Sequence, residues 1–369
     1  MANVYKDASG KWIAQIQIGY YENGRPKFKR FKSDTKKSAL EKVENYKLET
    51  NNLSVIPEDS DVLVHEYIQQ YIEAYKSNSL KPSSLTRNYG ILNNQIKPTI
   101  GGYCLNQLTT TVIQKQMINV LVAKGYSFST IHKAYTLLKE ALNKAVQEDR
   151  LLKNVCDGVQ MPIKKSIEER EIKILTEEEA KLLIAVANSE RYDNGLAISL
   201  VLYTGLRGGE LCALQWKDID FKNKIMTVRR NISVHSERTE DGIKRIVELQ
   251  NGTKTKLMRK VPLNENAINI LNKIKKTSSS EFIIKTRSKI PDVTIVSQTY
   301  NNMLKYVGIK DKTGIHTLRH TFASTLLRKG VDIKIVSEIL GHSNVTFTYN
   351  TYIHLLPDQK SDALSTLNY

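Results

Sequence analysis

Two stretches without an apolar period, NNLSVIPEDSD at 51–61 and MPIKKSIEEREIK at 161–173, cut the chain into three blocks, each with its own hydrophobic rhythm. A chain punctuated this way folds as separate parts joined by linkers. Pro57 and the turn formers around it mark the first linker, and dense charge marks the second. The expected parts are residues 1–55, 60–160 and 173–369.

In the first block, VYKDASGKWIAQIQIGYYENGRPKFKRFKS places Ser9-Gly10 and Asn23-Gly24 between runs rich in aromatic and β-branched residues. That pattern predicts a three-stranded antiparallel sheet with two tight turns. The third strand reads Lys27, Phe28, Lys29, Arg30, Phe31, Lys32, so the two phenylalanines share a face only if a bulge or strand end intervenes. Ala39, Val43 and Tyr46 follow at helical spacing and supply a helix to cover one face. A small ribbon edged with lysine and arginine has the shape and charge to enter a major groove.

The second block is helical. Its clearest segment is FSTIHKAYTLLKEALNKAVQEDR, where Ser129 is placed to cap and Ile131, Tyr135, Leu138, Leu142 and Ala145 or Val146 recur at three and four. The third block opens with Thr176 and Glu179 in capping-box spacing. Between Trp216 and Leu263 the period shortens, and WKDIDFKNKIMTVRRNISV and KLMRKVPL read as strands before helices resume. The fold class is multidomain α+β: a small three-stranded sheet with a helix, a helical middle part, and a mixed, mainly α third part with a small antiparallel sheet.

Lysine and arginine number 55 against 38 acidic residues, a net charge of +17 that makes a polyanion the leading partner. The cysteines, Cys104, Cys156 and Cys212, are too far apart for a CxxC metal pair and odd in number, so a reducing cytoplasm is expected. The start MANVYKDASGKW has no apolar signal region, and the longest apolar run, LAISLVLY at 196–203, is too short to span a bilayer. No membrane role is expected.

Two sites carry chemistry. In YTGLRGGELCALQW, Arg207 follows Gly205 where one helix ends and another begins, and a half-buried guanidinium there needs an anion, either Glu210 or a bound phosphate. In HTLRHTFASTLLRKGVDIKIVSEILGHSN, His316 and Arg319 lie three apart on the first turn of a helix whose other face is Phe322, Leu326 and Leu327. Gly330 and Gly341 end successive helices and leave His342 at a helix terminus. His316 and His320 are four apart, as zinc ligands can be. Arg319 between them would repel a dication, and neither HExxH nor a cysteine cluster is present, so no metal is expected.

Arg207 in TGLRGGEL, His316 and Arg319 in HTLRH, His342 in LGHSN and a tyrosine in YNTYIHL together resemble the active-site set of the tyrosine recombinases, the phage and conjugative-transposon integrases. The resemblance is close over roughly 173–356 and general elsewhere. It implies an arm-site DNA reader at 1–55, a helical core-site binder at 60–160 and a catalytic domain at 173–369. It also implies a lysine in a β-turn before the VPL strand: Lys254, eight residues before Pro262, with Lys256 as rival. Tyr352 sits in TYIH, which resembles the family's T-x-Y-x-H surroundings most closely, and is the implied nucleophile, with Tyr349 the competitor.

That set suits phosphoryl transfer. Two fixed guanidiniums, Arg207 and Arg319, can hold the charge that grows on the nonbridging oxygens, so neither a metal nor any other cofactor is required. A phenol must lose its proton during attack, to His316 or a neighbouring group, while Lys254 protonates the departing 5′ oxygen and His342 hydrogen-bonds the phosphate. By resemblance the product is a 3′-phosphotyrosyl intermediate, which stores the broken bond and needs no ATP; no GxxxxGK[ST] loop is present. The implied partners are double-stranded DNA at attachment core and arm sites, a homo-tetramer on that DNA, and accessory DNA-bending and excision factors. The tail LPDQKSDALSTLNY is a candidate for docking on a neighbouring subunit. Two other readings remain open, a type IB topoisomerase-like strand cleaver and a catalytically silent DNA-binding regulator.

Overall fold

The computed structural model describes residues 3–7, 10–20, 26–51, 62–163, 173–239, 242–252, 258–310 and 314–353. Most of both expected linkers, the turn at Asn23-Gly24, the lysines Lys254 and Lys256, and the tail from residue 354 lie outside those residues. The chain divides into two compact units, Met1–Glu169 and Arg170–Tyr369.

The first unit opens with the antiparallel strands β1 (Asn3–Lys6), β2 (Trp12–Tyr20) and β3 (Pro26–Ser33), in that order across the sheet. Helix α1 (Lys36–Asn51) lays Ala39 and Val43 on Ala14, and Trp12, Ile16 and Phe31 close the edges of this small core. Phe31 faces the helix, whereas Phe28 is 43% exposed. The β2–β3 register shifts between Gln17 and Gly19, past the Phe28 pair at Gln17, so it does not turn Phe28 toward the helix. Lys29 and Arg30 are left exposed on the third strand.

The rest of that unit is helical. α2 (Val64–Tyr71) and α3 (Pro82–Ile91) each continue through a wide π turn, Ile72–Lys76 and Leu92–Ile96. α4 (Thr110–Val112) runs through Ile113–Ile118 into α5 (Asn119–Ala123), and α6 (Phe128–Gln147) is the longest helix among the described residues. The apolar stripe of α6 is core as expected: Ile131, Leu138, Leu142 and Ala145 are fully buried, together with Ala134 and Ala141. The cap, however, is Ser127 rather than Ser129. Ser127 has extended backbone and accepts the Thr130 N–H, so Phe128 starts the helix and Ser129 falls inside its first turn.

The second unit begins with α7 (Glu177–Asn188), closed by the expected capping box: Thr176 Oγ1 accepts from Glu179 N at 3.1 Å and Glu179 Oε2 from Thr176 N at 3.0 Å. α8 (Gly195–Thr204) is the apolar LAISLVLY run, and it is buried on nearly every side because α7, α10, α11 and α12 all pack on it. Those later helices are α10 (Glu265–Thr277), α11 (Val293–Tyr306) and α12 (His316–Arg328), and α9 (Gly208–Ala213) follows α8 directly. Strands β4 (Ile219–Asp220), β5 (Ile225–Val228) and β8 (Arg259–Pro262) form one antiparallel sheet, and β6 (Arg230–Thr239) and β7 (Gly242–Asn251) form a separate hairpin. Trp216–Asp218, read above as the start of a strand, is a 3-10 turn, because the Asp218 carboxylate accepts the Gln215 N–H and caps it. The unit closes with α13 (Ile333–Leu340) and α14 (Val345–Tyr352), whose side chains Val336, Leu340 and Tyr352 pack on Ala323 and Leu327 of α12.

Candidate active site

The site is built where α8 ends. Gly205 closes the helix in the left-handed region, φ +63°, and a Cβ there would sit 2.6 Å from Phe322 Cδ1 and 2.9 Å from Leu340 Cδ2. Only glycine fits both the turn and the space. The chain then extends through Arg207, which occupies the position before α9. Its N–H donates to Glu210 Oε2 at 2.9 Å, its Nη1 to Oε1 at 2.8 Å, and its Nη2 to the Gly341 carbonyl at 3.3 Å.

Arg319 comes from the first turn of α12 and is 4% exposed. Its Nη1 donates to the Gly205 carbonyl at 2.6 Å and its Nη2 to the Leu340 carbonyl at 2.7 Å. Burial, and next the like charge of Arg207, press its pKa down to about 9, so it stays protonated at neutral pH.

A third guanidinium completes the pattern. Arg259, at the start of β8, donates its Nε to the Ile339 carbonyl at 2.8 Å. The last carbonyls of α13 and the residue after it, 339, 340 and 341, therefore take Arg259, Arg319 and Arg207 in order. Carbonyls at a helix C-terminus lack intrahelical partners and carry the negative end of the macrodipole, which is why cations collect there. Arg259 also grips the buried Glu210. Burial would raise that carboxyl, but the Arg259 hydrogen bonds and the charges of Arg259 and Arg207 outweigh it and hold the pKa down at about 2.

The same helix end sets His342. Gly341 takes φ +66°, and His342 N–H returns to the Ser337 carbonyl at 3.1 Å. Its Nδ1 meets Thr348 Oγ1 at 2.7 Å and its ring stands edge-on to Phe347. Burial and the charges of Arg319, Arg207 and Arg259 push its pKa down to about 4, so it is neutral at physiological pH.

Tyr352, the last residue of α14, is 1% exposed, whereas Tyr349 is 45% exposed. The Tyr352 hydroxyl lies 2.7 Å from His320 Nδ1, and burial raises its pKa to about 12 against the lowering field of Arg319. His316 is exposed at the first position of α12 and is an electrostatic neighbour of His320. The structure thus gathers Arg207, Arg319, His342 and Tyr352 around the end of α13, places His316 on the same α12 turn as Arg319, and leaves Lys254 outside the described residues.

Sequence reasoning missed Arg259 altogether and weighed His320 only as a metal ligand. The signal for Arg259 was a cation three residues before Pro262 in the strand that follows the lysine turn. For His320 it was the fourfold spacing from His316 combined with an apolar partner helix that would bring a phenol over it.

A buried phenol lies beside clustered guanidiniums and neutral imidazoles on a mixed α/β unit, an arrangement suited to phosphoryl transfer to and from tyrosine. Residues 173–359 match the phage integrase family, and residues 63–122 match the phage integrase N-terminal SAM-like domain. The chain belongs to the phage integrase family and is a tyrosine recombinase, a site-specific enzyme of DNA strand breakage and rejoining. It is 32% identical to a tyrosine recombinase XerC-like protein of Caldanaerobacter subterraneus subsp. tengcongensis, over 99% of this chain and 98% of that one. Its fold is similar to that of the Tn1549 transposon integrase, solved in complex with a circular intermediate DNA, with a TM-score of 0.68 and 21% identity over 83% of this chain and all of the other. It is also similar to the lambda integrase, solved as a tetramer bound to a Holliday junction, with a TM-score of 0.63 and 21% identity over 93% of this chain and 96% of that one.

Proposed function

We propose that this recombinase is the integrase of a mobile element or prophage, that it acts on double-stranded DNA as a homo-tetramer, and that Tyr352 is its nucleophile. The observation that carries the reading is the convergence of Arg207, Arg319 and His342 at the end of α13 with the Tyr352 hydroxyl beside them. A phosphodiester seated there takes paired hydrogen bonds from the two guanidiniums, which hold the charge that develops on its nonbridging oxygens. Thr348 occupies Nδ1 of His342, so its Nε2 is the nitrogen directed to the phosphate. His316, exposed on the same α12 turn as Arg319, adds a further donor.

Tyr352 attacks phosphorus, the 3′ side of the strand becomes phosphotyrosyl, and the 5′ oxygen leaves with a proton from Lys254. The free 5′-hydroxyl of a partner strand reverses the step. Arginine supplies the charge that a dication supplies in other phosphoryl transfers, so the chemistry runs without metal or ATP. Residues 1–55 read arm sites with the basic strand β3, residues 60–160 hold core sites, and residues 173–369 carry the chemistry. The tail LPDQKSDALSTLNY docks on a neighbouring subunit, and DNA-bending and excision factors set the direction. The site of action is the cytoplasm; no helix among the described residues is long and apolar enough to cross a membrane.

A nicked suicide duplex spanning the attachment site tests this. The wild-type protein forms a covalent protein–DNA adduct and Tyr352→Phe forms none. Loss of the adduct in Tyr349→Phe with retention in Tyr352→Phe would transfer the nucleophile to Tyr349.

A further inference from the structure

We propose that His320 is a catalytic residue of strand cleavage, its Nδ1 accepting the phenolic proton of Tyr352 as the tyrosine oxygen bonds to phosphorus. The proposal rests on Tyr352 being the nucleophile. What carries it is the 2.7 Å contact between Tyr352 Oη and His320 Nδ1, made between the last residue of α14 and the fifth of α12.

A buried hydroxyl needs a partner, and any backbone carbonyl would satisfy it. Here the partner is an imidazole, which can receive a proton as well as a hydrogen bond. The proposal requires one tautomer of His320. A phenol has one proton to give, so an Nδ1 that accepts it is unprotonated and Nε2 carries the ring hydrogen. The rings meet at 58° with centroids 5.7 Å apart, held by the packing of Tyr352 on Ala323 and Leu327, one and two helical turns further along α12.

The groups facing His320 explain why the proton waits for DNA. His316 and Arg319 come from α12, His342 from the turn after α13, and Tyr352 from α14. Burial, then His316 and Arg319, keep the imidazole neutral, with a pKa near 4, and hence ready to accept. A phosphodiester between Arg207 and Arg319 brings a negative charge that offsets this field and raises the basicity of His320. The phenol simultaneously acidifies as its oxygen shares electrons with phosphorus. In the balanced step the O–H bond of Tyr352 breaks to His320, the Oη–P bond forms, and the P–O5′ pair leaves with the 5′ oxygen, which takes its proton from Lys254. On religation His320 returns the proton to the phenolate.

The test uses the full-length protein and two nicked suicide duplexes, one with the natural phosphodiester and one with a bridging 5′-phosphorothiolate whose thiolate leaves without a proton. His320→Asn keeps a hydrogen-bonding atom near Nδ1 but cannot take the proton. It is expected to slow adduct formation by about 10²- to 10⁴-fold on both duplexes, with duplex binding unchanged. Added imidazole is expected to restore part of the rate in His320→Ala. Rates for His320→Asn within about threefold of wild type would reduce His320 to a hydrogen-bond partner, and full recovery on the phosphorothiolate would make it the acid instead. Nitrogen-15 NMR of wild-type protein labelled at histidine gives a reading that needs no variant: a ring hydrogen on Nδ1 of His320 would overturn the proposal. An adduct formed by Tyr352→Phe would instead overturn the parent reading, whatever His320 does.

Discussion

Arg259 grips Glu210 through two parallel hydrogen bonds, Nη1 to Oε1 at 2.9 Å and Nη2 to Oε2 at 2.7 Å. The same carboxylate also takes Arg207, so one buried anion faces two cations and leaves the trio with a net positive charge. Without Arg259, Glu210 would neutralise Arg207 one to one, and the clamp would lose much of its pull on a phosphate. The pairing is thus a means of anchoring a guanidinium without cancelling it.

Arg259→Ala is therefore expected to hurt twice. Removing one partner of a buried, hydrogen-bonded pair costs about 3–5 kcal/mol, which denaturant unfolding will show as a lower midpoint. Adduct formation is expected to fall further than duplex binding does. Arg259→Lys keeps the charge but not the planar fork and is expected to fall between the two. Wild-type stability in Arg259→Ala would mean that Glu210 finds other partners.

Gly205→Ala probes the turn that places both arginines. The left-handed conformation alone costs an L-residue about 1–2 kcal/mol, and the added methyl meets Phe322 at 2.6 Å. Relief of that clash shifts the Gly205 carbonyl, which is the acceptor for Arg319 Nη1. The expected outcome is a lower unfolding midpoint together with a loss of cleavage larger than the loss of binding, read in the same duplex assay.

What the sequence made legible follows the range of the forces involved. Local signals were clear: the Thr176–Glu179 capping box, the α6 stripe and the glycines that end α8 and α13 each act within a turn or two of chain. Arg207 could be singled out because a charge in an apolar run demands an anion, and Arg319 because HTLRH resembles a family motif. The Arg259 contact to Ile339 spans 80 residues and the Tyr352 contact to His320 spans 32. No periodicity encodes such contacts; only the packing of α12, α13 and α14 creates them. Ser129 was misread as a cap because Ser127 and Ser129 are equivalent by composition, and the choice depends on which hydroxyl reaches a free N–H.

Acid titration is expected to show two windows. His320 and His342 have folded pKa values near 4 against an ordinary 6.5, so the unfolded chain binds protons that the folded chain refuses. Their share of stability is intact above pH 6.5, falls as pH drops from 6.5 toward 4, and is constant below that. Glu210 behaves in the same sense at lower pH, from an ordinary 4.5 to about 2, so its contribution is present above 4.5 and is lost between 4.5 and 2. Unfolding midpoints measured against pH check both: His342→Gln is expected to flatten the upper window and Glu210→Gln the lower one.

The basic strand of the first unit predicts a salt effect. Lys29 and Arg30 are exposed on β3, and each phosphate they neutralise adds about 0.9 to the slope of log affinity against log salt. Replacing both with alanine in the full chain is expected to flatten that slope by about 1–2 for arm-site duplex. Binding to a core-site duplex and adduct formation are expected to be unchanged. An unaltered slope on arm-site DNA would show that this strand does not meet phosphates.

The two tyrosines of α14 are distinguished by stability as well as by chemistry. The Tyr352 hydroxyl is buried against His320, so Tyr352→Phe leaves Nδ1 of His320 without that partner and is expected to cost about 1 kcal/mol. Tyr349 is 45% exposed, and its hydroxyl can be removed within about 0.5 kcal/mol. Denaturant unfolding of the two variants separates these costs, because the flanking helix is common to both. A larger cost for Tyr349→Phe would mean that α14 seats its other face on α12, which would bring Tyr349 rather than Tyr352 to the arginines. The same pair of variants in the duplex assay must then reverse as well, since burial against His320 and access to the phosphate follow from one rotation of the helix.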